Sequence, residues 1–257
     1  MFQITACIVL YRNDTKTLSK TIDSFLNTQL NLKLYLIDNS PTDILRNISK
    51  DNRVEYIFNK ANIGFGAGHN IVIKKIFKEQ SDYHLVLNPD IYFEKDTIEK
   101  IFYFMEENKN IGQIMPKVLY PDGNIQYLCK KNPKPFDLFL RRFSPKFVQS
   151  LFSKRMEEYE YKDKDYKKIM YDIPYLSGCF MFFRTTVLER IGLFDDRIFM
   201  YIEDADITRR VLAISKTVYY PDAVIYHNFE KGSHKSWKLT WYSIHGAFIY
   251  FNKWGWL

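Results

Sequence analysis

Carboxylate side chains stand at three places where predicted strands or helices begin or end. Asp38 closes a buried strand, Asp90 lies in an Asn-Pro-Asp turn after a later strand, and Glu203-Asp204 opens a helix. Carboxylates at such positions can accept hydrogen bonds, hold a hard divalent cation or take a proton from a bound hydroxyl. Acids also stand there for structural reasons, because they cap turns and complement the helix dipole. The residue types alone leave both interpretations open.

The first 120 residues alternate strand and helix patterns, and these elements must position the acids. Apolar, β-rich runs at Ile4–Tyr11, Lys33–Asp38, Val54–Phe58 and Leu85–Leu87 predict buried strands. Between them, apolar residues recur at helical spacing. This order predicts an α/β fold with a mostly parallel, doubly wound sheet, in which ligand groups gather at the carboxyl ends of the strands.

The segment of residues 121–171 differs in character from the rest of the chain. From Tyr127 to Tyr171 it carries 12 Lys/Arg and 6 Asp/Glu, so most of the net charge of +7 lies here. Apolar residues recur at helical spacing within Phe136–Arg155, and Ser144-Pro145 predicts a break into two short helices. This basic amphipathic stretch can dock at an anionic membrane surface, or it can pack its phenylalanines on the sheet as a flap.

The bulk composition excludes several classes of protein. A hydrophobic fraction of 46% argues against disorder, and no apolar run approaches the roughly 20 residues that a spanning helix needs. Cys7, Cys129 and Cys179 form neither a metal-ligand spacing nor a disulfide framework, which fits a reducing cytoplasm. Nucleic acid is not expected as a partner, because acids interleave the basic residues. We expect a cytoplasmic protein, soluble or peripheral at the inner face of the membrane.

The glycine run Gly64-Phe-Gly66-Ala-Gly68 invites a dinucleotide-binding interpretation. That fingerprint requires a third glycine where this chain has His69, and its glycines follow the first strand. Here Asp38 precedes the glycines, whereas the fingerprint places its acid after them. An NAD-dependent oxidoreductase is therefore a disfavoured alternative.

Six motifs, taken in order, resemble glycosyltransferase family 2, and within it the rhamnosyltransferase-like members. They are Ile8–Tyr11, Leu36–Ser40, Asn62–Asn70, Leu87–Asp90, Phe194–Asp206 and Ala223–His227. No single motif is decisive, but their order and spacing cover nearly the whole chain. The resemblance implies the nucleotide-diphosphosugar transferase (GT-A) fold and an inverting, metal-dependent transfer of a sugar to an acceptor hydroxyl.

Four residues match positions that face the donor nucleotide in this family. Tyr11 matches a position near the base, and Asp38 matches an aspartate that accepts the N3–H of uracil or thymine. Asn62 and Asn70 match the turn that approaches the ribose and phosphate, where glycines permit close backbone contact. The structural alternatives are a core tyrosine and a capping turn.

The resemblance also implies a divalent metal, Mg²⁺ or Mn²⁺. Asp90 matches the metal-binding aspartate of an Asp-x-Asp motif. Asn88 stands in place of the first aspartate of that motif, so a contact with the sugar or with a bridging water is expected there instead. His227 matches a histidine that ligates the metal in several relatives. Lys235 lies on a following loop that could reach the diphosphate. The alternatives are an ordinary turn, a partly buried histidine and a solvated basic face.

The same resemblance divides a single domain into parts. Residues 1–120 form the donor half, 121–171 the basic helical insertion and 172–257 the acceptor and catalytic half. In the last part, Asp204 matches the general base that takes the proton of the acceptor hydroxyl, and Glu203 is the second candidate. A first-turn acid that merely complements the helix dipole is the alternative to both.

For the substrates, the resemblance favours dTDP-rhamnose, followed by a UDP-sugar, as the donor. A saccharide or lipid-linked saccharide of a bacterial surface polysaccharide is the implied acceptor. A catalytically silent scaffold that binds polysaccharide is the alternative, since Asn88 replaces an expected acid. The closing stretch Tyr250–Trp256 looks short beside relatives, which would fit a truncated chain.

Overall fold

A computed structural model describes residues 3–79, 81–228 and 237–256. The strands are β1 (Ile4–Leu10), β2 (Leu32–Asp38), β3 (Val54–Phe58), β4 (Tyr83–Leu87), β5 (Ile91–Phe93), β6 (Ile111–Leu119), β7 (Cys129–Lys130), β8 (Met170–Tyr171), β9 (Tyr175–Leu176), β10 (Phe180–Arg184) and β11 (Lys216–His227). The helices are α1 (Thr15–Leu26), α2 (Phe65–Glu79), α3 (Thr97–Glu107), α4 (Pro135–Phe143), α5 (Lys146–Leu151), α6 (Ser153–Tyr159), α7 (Thr185–Ile191), α8 (Glu203–Leu212) and α9 (Trp237–Trp254).

The main sheet has the strand order β3-β2-β1-β4-β10-β6-β11-β5, with β8 added beside β11. Strands β3, β2, β1 and β4 are parallel, whereas β10 runs antiparallel between β4 and β6. The expected α/β class is confirmed, and β10 and the short strands β5 and β8 are its antiparallel members. Strands from both ends of the chain interleave in this one sheet.

The central strands are apolar because helices cover both faces of the sheet. Six residues of β1 and all of β4 are buried, and they pair in parallel register from Ile4–Tyr83 to Cys7–Val86. Since parallel strands end at one edge, the residues after β1, β2 and β4 come together there. This edge carries Asp38 and the Asn88–Asp90 turn.

The insertion folds as the three short helices α4, α5 and α6. Ser144 and Pro145 lie between α4 and α5, as the sequence predicts. Leu140 is buried, but six apolar residues of this region form an exposed stripe that is not packed on the sheet. They are Phe136, Phe139, Phe143, Phe147, Leu151 and Phe152. The flap alternative is therefore wrong for this stripe. Among the described residues, no helix is long and apolar enough to span a bilayer.

Candidate functional site

A cleft of about 1460 Å³ opens at the carboxyl edge of the sheet. It brings together five of the sequence-predicted site residues: Asn88, Asp90, Glu203, Asp204 and His227. Tyr11, Asp38, Asn62 and Asn70 do not line it. Lys235 lies outside the described residues.

The turn after β4 and the end of β11 place an acid beside a histidine. His227 pairs with Ile91 in antiparallel register, and the N–H of Asn228 donates to the carbonyl oxygen of Asp90 at 3.0 Å. These backbone contacts hold Oδ1 of Asp90 3.4 Å from Nε2 of His227. The His227 side chain is buried, whereas that of Asp90 is partly open to the cleft.

Gln126 fixes the state of the His227 ring, and the sequence gives no sign of it. Its side-chain nitrogen donates to the carbonyl oxygens of His227 at 2.9 Å and Leu119 at 3.4 Å. Its oxygen therefore faces Nδ1 of His227, 3.0 Å away, and the hydrogen-bond network assigns the proton to Nδ1. In the neutral ring, Nε2 then turns a lone pair toward Asp90. Two acceptors face each other, an arrangement that a cation would stabilise.

The pair fits a divalent cation that shares its coordination with a ligand. Oδ1 of Asp90 is buried and makes no hydrogen bond within the described part of the chain. Two ligands of one ion, each about 2.1 Å from it and about 90–110° apart, lie about 3.0–3.4 Å from each other. The observed 3.4 Å matches that range. No group of three His, Cys, Asp or Glu within the described ranges could hold a metal, so phosphate oxygens would have to complete the shell.

Asp204 and Glu203 at the start of α8 have different environments. Asp204 is partly exposed, and its two oxygens accept the N–H groups of Gly178 at 2.9 Å and Ala205 at 3.0 Å. Glu203 is buried, and its Oε2 has no hydrogen-bond partner in the described residues. Burial first, and the Asp204 charge second, raise the pKa of Glu203 well above its ordinary value. Asp204 is thus the better candidate for the ionised acid.

One short segment before β10 joins the acidic pair to the Asn88–Asp90 turn. The N–H of Gly178 donates to Asp204, and the carbonyl oxygen of the next residue, Cys179, accepts the N–H of Asn88 at 2.9 Å. A side chain at position 178 would approach the Cβ of Asp204 to 3.2 Å. The glycine therefore lets the backbone reach the carboxylate.

The backbone immediately before α8 is strained. Tyr201 and Ile202 both have positive φ, of 73° and 72°. Each such residue costs about 1–3 kcal/mol, which surrounding contacts must offset. Gly64 helps to hold this backbone in place. The N–H of Phe65 donates to the carbonyl oxygen of Phe199 at 2.9 Å, and a Cβ on Gly64 would lie only 2.3 Å from that oxygen. The glycine motif thus holds the loop that presents Glu203 and Asp204.

Asp206 anchors α9 beneath this loop. Its buried carboxylate accepts from Arg210, from Lys253 at 2.7 Å and from the indole N–H of Trp254 at 2.8 Å. Asp206 is therefore structural.

Asp38 is placed differently from the expectation of direct base contact. Its side chain is fully buried, and its oxygens accept the N–H of Ser40 at 2.8 Å and the hydroxyl of Tyr56 at 2.5 Å. Burial and the Asp38 charge raise the pKa of Tyr56. Both oxygens are thus engaged within the fold, and the contact with the base, which stays a prediction, would have to displace the Tyr56 hydroxyl.

Asn70 is likewise used by the fold. Its side-chain amide donates to the carbonyl oxygen and accepts from the N–H of Phe194, both at 2.9 Å. Asn70 therefore links α2 to the segment before α8, and its expected contact with ribose or phosphate stays a prediction. Asn62 is exposed and accepts the N–H of Gly64 at 3.2 Å. Tyr11 is exposed, and its ring lies beneath the guanidinium of Arg12.

The fold has its counterparts among solved glycosyltransferases. GalNAc-T7 in complex with UDP, GalNAc and Mn²⁺ superimposes with a TM-score of 0.67 at 14% identity, over 90% of this chain and 44% of that one. The mannosyltransferase PcManGT from Pyrobaculum calidifontis, with GDP-Man and Mn²⁺, gives 0.58 at 14% identity, over 92% of this chain and 60% of that one. The fold is of the GT-A glycosyltransferase type.

Residues 5–192 match the model of glycosyl transferase family 2, and the chain belongs to that family. An N-acetylglucosaminyl-diphospho-decaprenol L-rhamnosyltransferase of Mycobacterium tuberculosis is 23% identical over 214 residues, which cover 79% of this chain and 68% of the relative. A low-salt glycan biosynthesis hexosyltransferase of Haloferax volcanii is 26% identical over 176 residues, 68% of this chain and 52% of that protein. The matched residues thus span 68% and 52% of these two relatives' lengths.

Proposed function

We propose that this protein is an inverting, metal-dependent glycosyltransferase that uses a dTDP- or UDP-sugar. The observation that carries the proposal is the shared cleft, in which Gly178–Cys179 ties Asp204 to the turn that presents Asp90 beside His227. A metal centre for a diphosphate and a base for a hydroxyl are the two groups that such a transfer needs.

Asp90 and His227 would hold the Mg²⁺ or Mn²⁺ ion, and Gln126 would keep the histidine in its ligating tautomer. When bound, the ion would neutralise the charge that develops on the departing nucleoside diphosphate. Asn88 lines the cleft beside this pair and is available to the donor sugar or to a bridging water. A neutral amide there leaves one fewer negative charge against the phosphates.

Asp204 acts as the general base. Its oxygens accept two backbone N–H groups, which orient the carboxylate in the cleft. It removes the proton of the acceptor hydroxyl as the oxygen attacks the anomeric carbon from the side opposite the diphosphate, so the configuration inverts. Glu203 stays protonated behind it and positions the acceptor by hydrogen bonding.

For the substrates, dTDP-rhamnose is the favoured donor, and a UDP-hexose is the next candidate. The mycobacterial relative, an N-acetylglucosaminyl-diphospho-decaprenol L-rhamnosyltransferase, supports this choice. A saccharide or lipid-linked saccharide of a bacterial surface polysaccharide is the proposed acceptor. Exposed phenylalanines on α4 and α5 would bring the enzyme peripherally to the inner membrane face.

Release of nucleoside diphosphate from a panel of dTDP-, UDP- and GDP-sugars, with Mn²⁺, Mg²⁺ or EDTA, tests the proposal. We expect turnover with a dTDP- or UDP-sugar that depends on metal and is lost in Asp204→Asn. NMR of the transferred sugar should show inversion at the anomeric carbon. Full activity in EDTA, or retention of configuration, would refute the mechanism.

A further inference from the structure

The part of the cleft that α4 and α9 line is left unexplained by the proposed reaction. Apolar side chains line it without being covered by the protein: Phe139, Phe143, Ile244, Phe248 and Trp256. Phe139 is 57% and Phe248 55% exposed. An apolar surface of this kind in a cleft suits an apolar ligand.

Lys130 lies in the same part of the cleft and is buried, with 6% of its surface exposed. Its ammonium lies 4.6 Å from the centroid of the Tyr175 ring, and no carboxylate of the described residues forms an ion pair with it. Burial first, and the Arg141 charge second, lower its pKa to about 8. Since a buried charge is costly without a partner, this ammonium suits an anionic ligand.

Arg141 adds a second cation at this place. Its guanidinium is exposed and only loosely paired, 3.7 Å from the Glu160 carboxylate, which also bonds Lys162 at 2.6 Å. Asp204 is among the groups whose charge acts on Lys130, so the cationic pair lies on the side of the cleft that holds the base. The sequence shows Lys130 only as one lysine of a basic segment.

We propose that Lys130 and Arg141 bind the phosphate of a lipid-linked saccharide acceptor, whose hydrocarbon chain lies on the apolar residues of α4 and α9. This inference rests on the proposed function, since it names the acceptor class of the same cleft. A free saccharide would leave the apolar surface uncovered, and a neutral lipid would place no anion against the buried ammonium. An anionic head joined to an apolar tail satisfies both.

Calorimetry with geranyl monophosphate tests this subsite, with geraniol and inorganic phosphate as probes that lack one half. EDTA is present, so that a metal at Asp90 and His227 cannot hold the phosphate. We expect geranyl monophosphate to bind the wild-type protein at least about tenfold more tightly than either half-probe. Binding should persist when UDP and Mn²⁺ are supplied instead of EDTA.

Two matched pairs of variants locate the site. Lys130→Gln should weaken binding about tenfold or more, whereas Lys131→Gln, at an exposed lysine bonded to Glu158, should not. Phe139→Ser should weaken binding about three- to tenfold, whereas Phe147→Ser, at an exposed phenylalanine outside the cleft, should not. If Lys130→Gln does not fold, the comparison of Phe139→Ser with Phe147→Ser still tests the inference. The relative affinities of the three probes for the wild-type protein test it as well.

The inference is overturned if geranyl monophosphate binds no better than inorganic phosphate, or if the control variants lose as much affinity as their partners. Titration of the same preparations with UDP and dTDP in Mn²⁺ reports on the proposed function separately. Nucleotide binding without probe binding would refute this subsite and leave the transferase proposal standing.

Discussion

The strand-end wall of the cleft, formed by Asn88–Asp90, Gln126 and His227, differs from the helical wall, formed by α4 and α9. The strand-end wall is polar, and backbone and side-chain hydrogen bonds fix its members. The helical wall exposes phenylalanines, an isoleucine and a tryptophan beside the cations Lys130 and Arg141.

The difference indicates that the two walls bind different ligands. Rigid, preorganised polar groups suit a charged ligand whose geometry must be held during bond cleavage. An adaptable apolar surface with a few cations suits a long amphiphilic ligand. We therefore expect changes on the strand-end wall to alter metal and donor binding, and changes on the helical wall to alter acceptor binding. The acidic pair Glu203-Asp204 serves both.

The largest effect is expected at Asp204. Asp204→Asn preserves size but cannot accept the acceptor's proton, so kcat should fall about 10²–10⁴-fold. Donor affinity and metal dependence should stay within about threefold of wild type, as steady-state kinetics and nucleotide titration would show. Glu203→Gln should lower kcat less, because a protonated Glu203 and a glutamine both donate a hydrogen bond. The opposite ranking would reverse their roles.

The next effect concerns Gln126, which bonds His227 and is not itself assigned to the metal. Gln126→Leu removes the acceptor that holds the Nδ1 proton, and the loss of such an outer partner typically costs about 10–100-fold in metal affinity. Mn²⁺ titration in the presence of UDP measures it. Excess Mn²⁺ should restore much of the activity. Unchanged Mn²⁺ affinity would mean that the His227 tautomer is unimportant.

Asp38 provides a contrast on the sheet edge outside the cleft. Asp38→Asn weakens the acceptor for Ser40 and Tyr56, and it should lower the free energy of unfolding by about 1–3 kcal/mol in urea titrations. UDP and dTDP affinity should change less than about threefold. A ten- to hundredfold loss of affinity, with little loss of stability, would instead support direct contact between Asp38 and the base.

A smaller effect is expected on stability at the buried Glu203. Its raised pKa means that the native state keeps a proton which the unfolded chain releases above about pH 4.5. Stability is therefore lost as pH rises from the unfolded pKa through the raised folded one. Glu203→Gln removes this loss, so its melting temperature should exceed that of wild type by about 2–4 °C at pH 8 and match it near pH 4. A parallel pH dependence of both proteins would contradict the assignment.

Sequence reasoning succeeds here where a local pattern carries the information. The apolar runs predict β1 to β4, and the turn and strand motifs lead to Asn88, Asp90 and His227, which share the cleft with Glu203 and Asp204. Their chemical roles stay predictions.

It fails where a side chain meets a distant partner. Asn70 bonds Phe194 across 124 residues, and Gln126 bonds His227 across 101. No spacing in the chain reveals such pairs, and a buried lysine such as Lys130 looks in the sequence like any other in a basic segment. Lys130 is buried where β7 pairs with β9, opposite Tyr175.

Calorimetric titration of UDP and dTDP, with and without Mn²⁺, tests the metal centre at Asp90 and His227 most directly. The wild type should bind one of them at least about tenfold more tightly with Mn²⁺, and Asp90→Ala should abolish that gain while staying folded. Glu203→Gln, which changes an acid of the same cleft that is not assigned to the metal, should keep it. Equal nucleotide affinity with and without Mn²⁺ in the wild type, or a full Mn²⁺ effect in Asp90→Ala, would contradict the account.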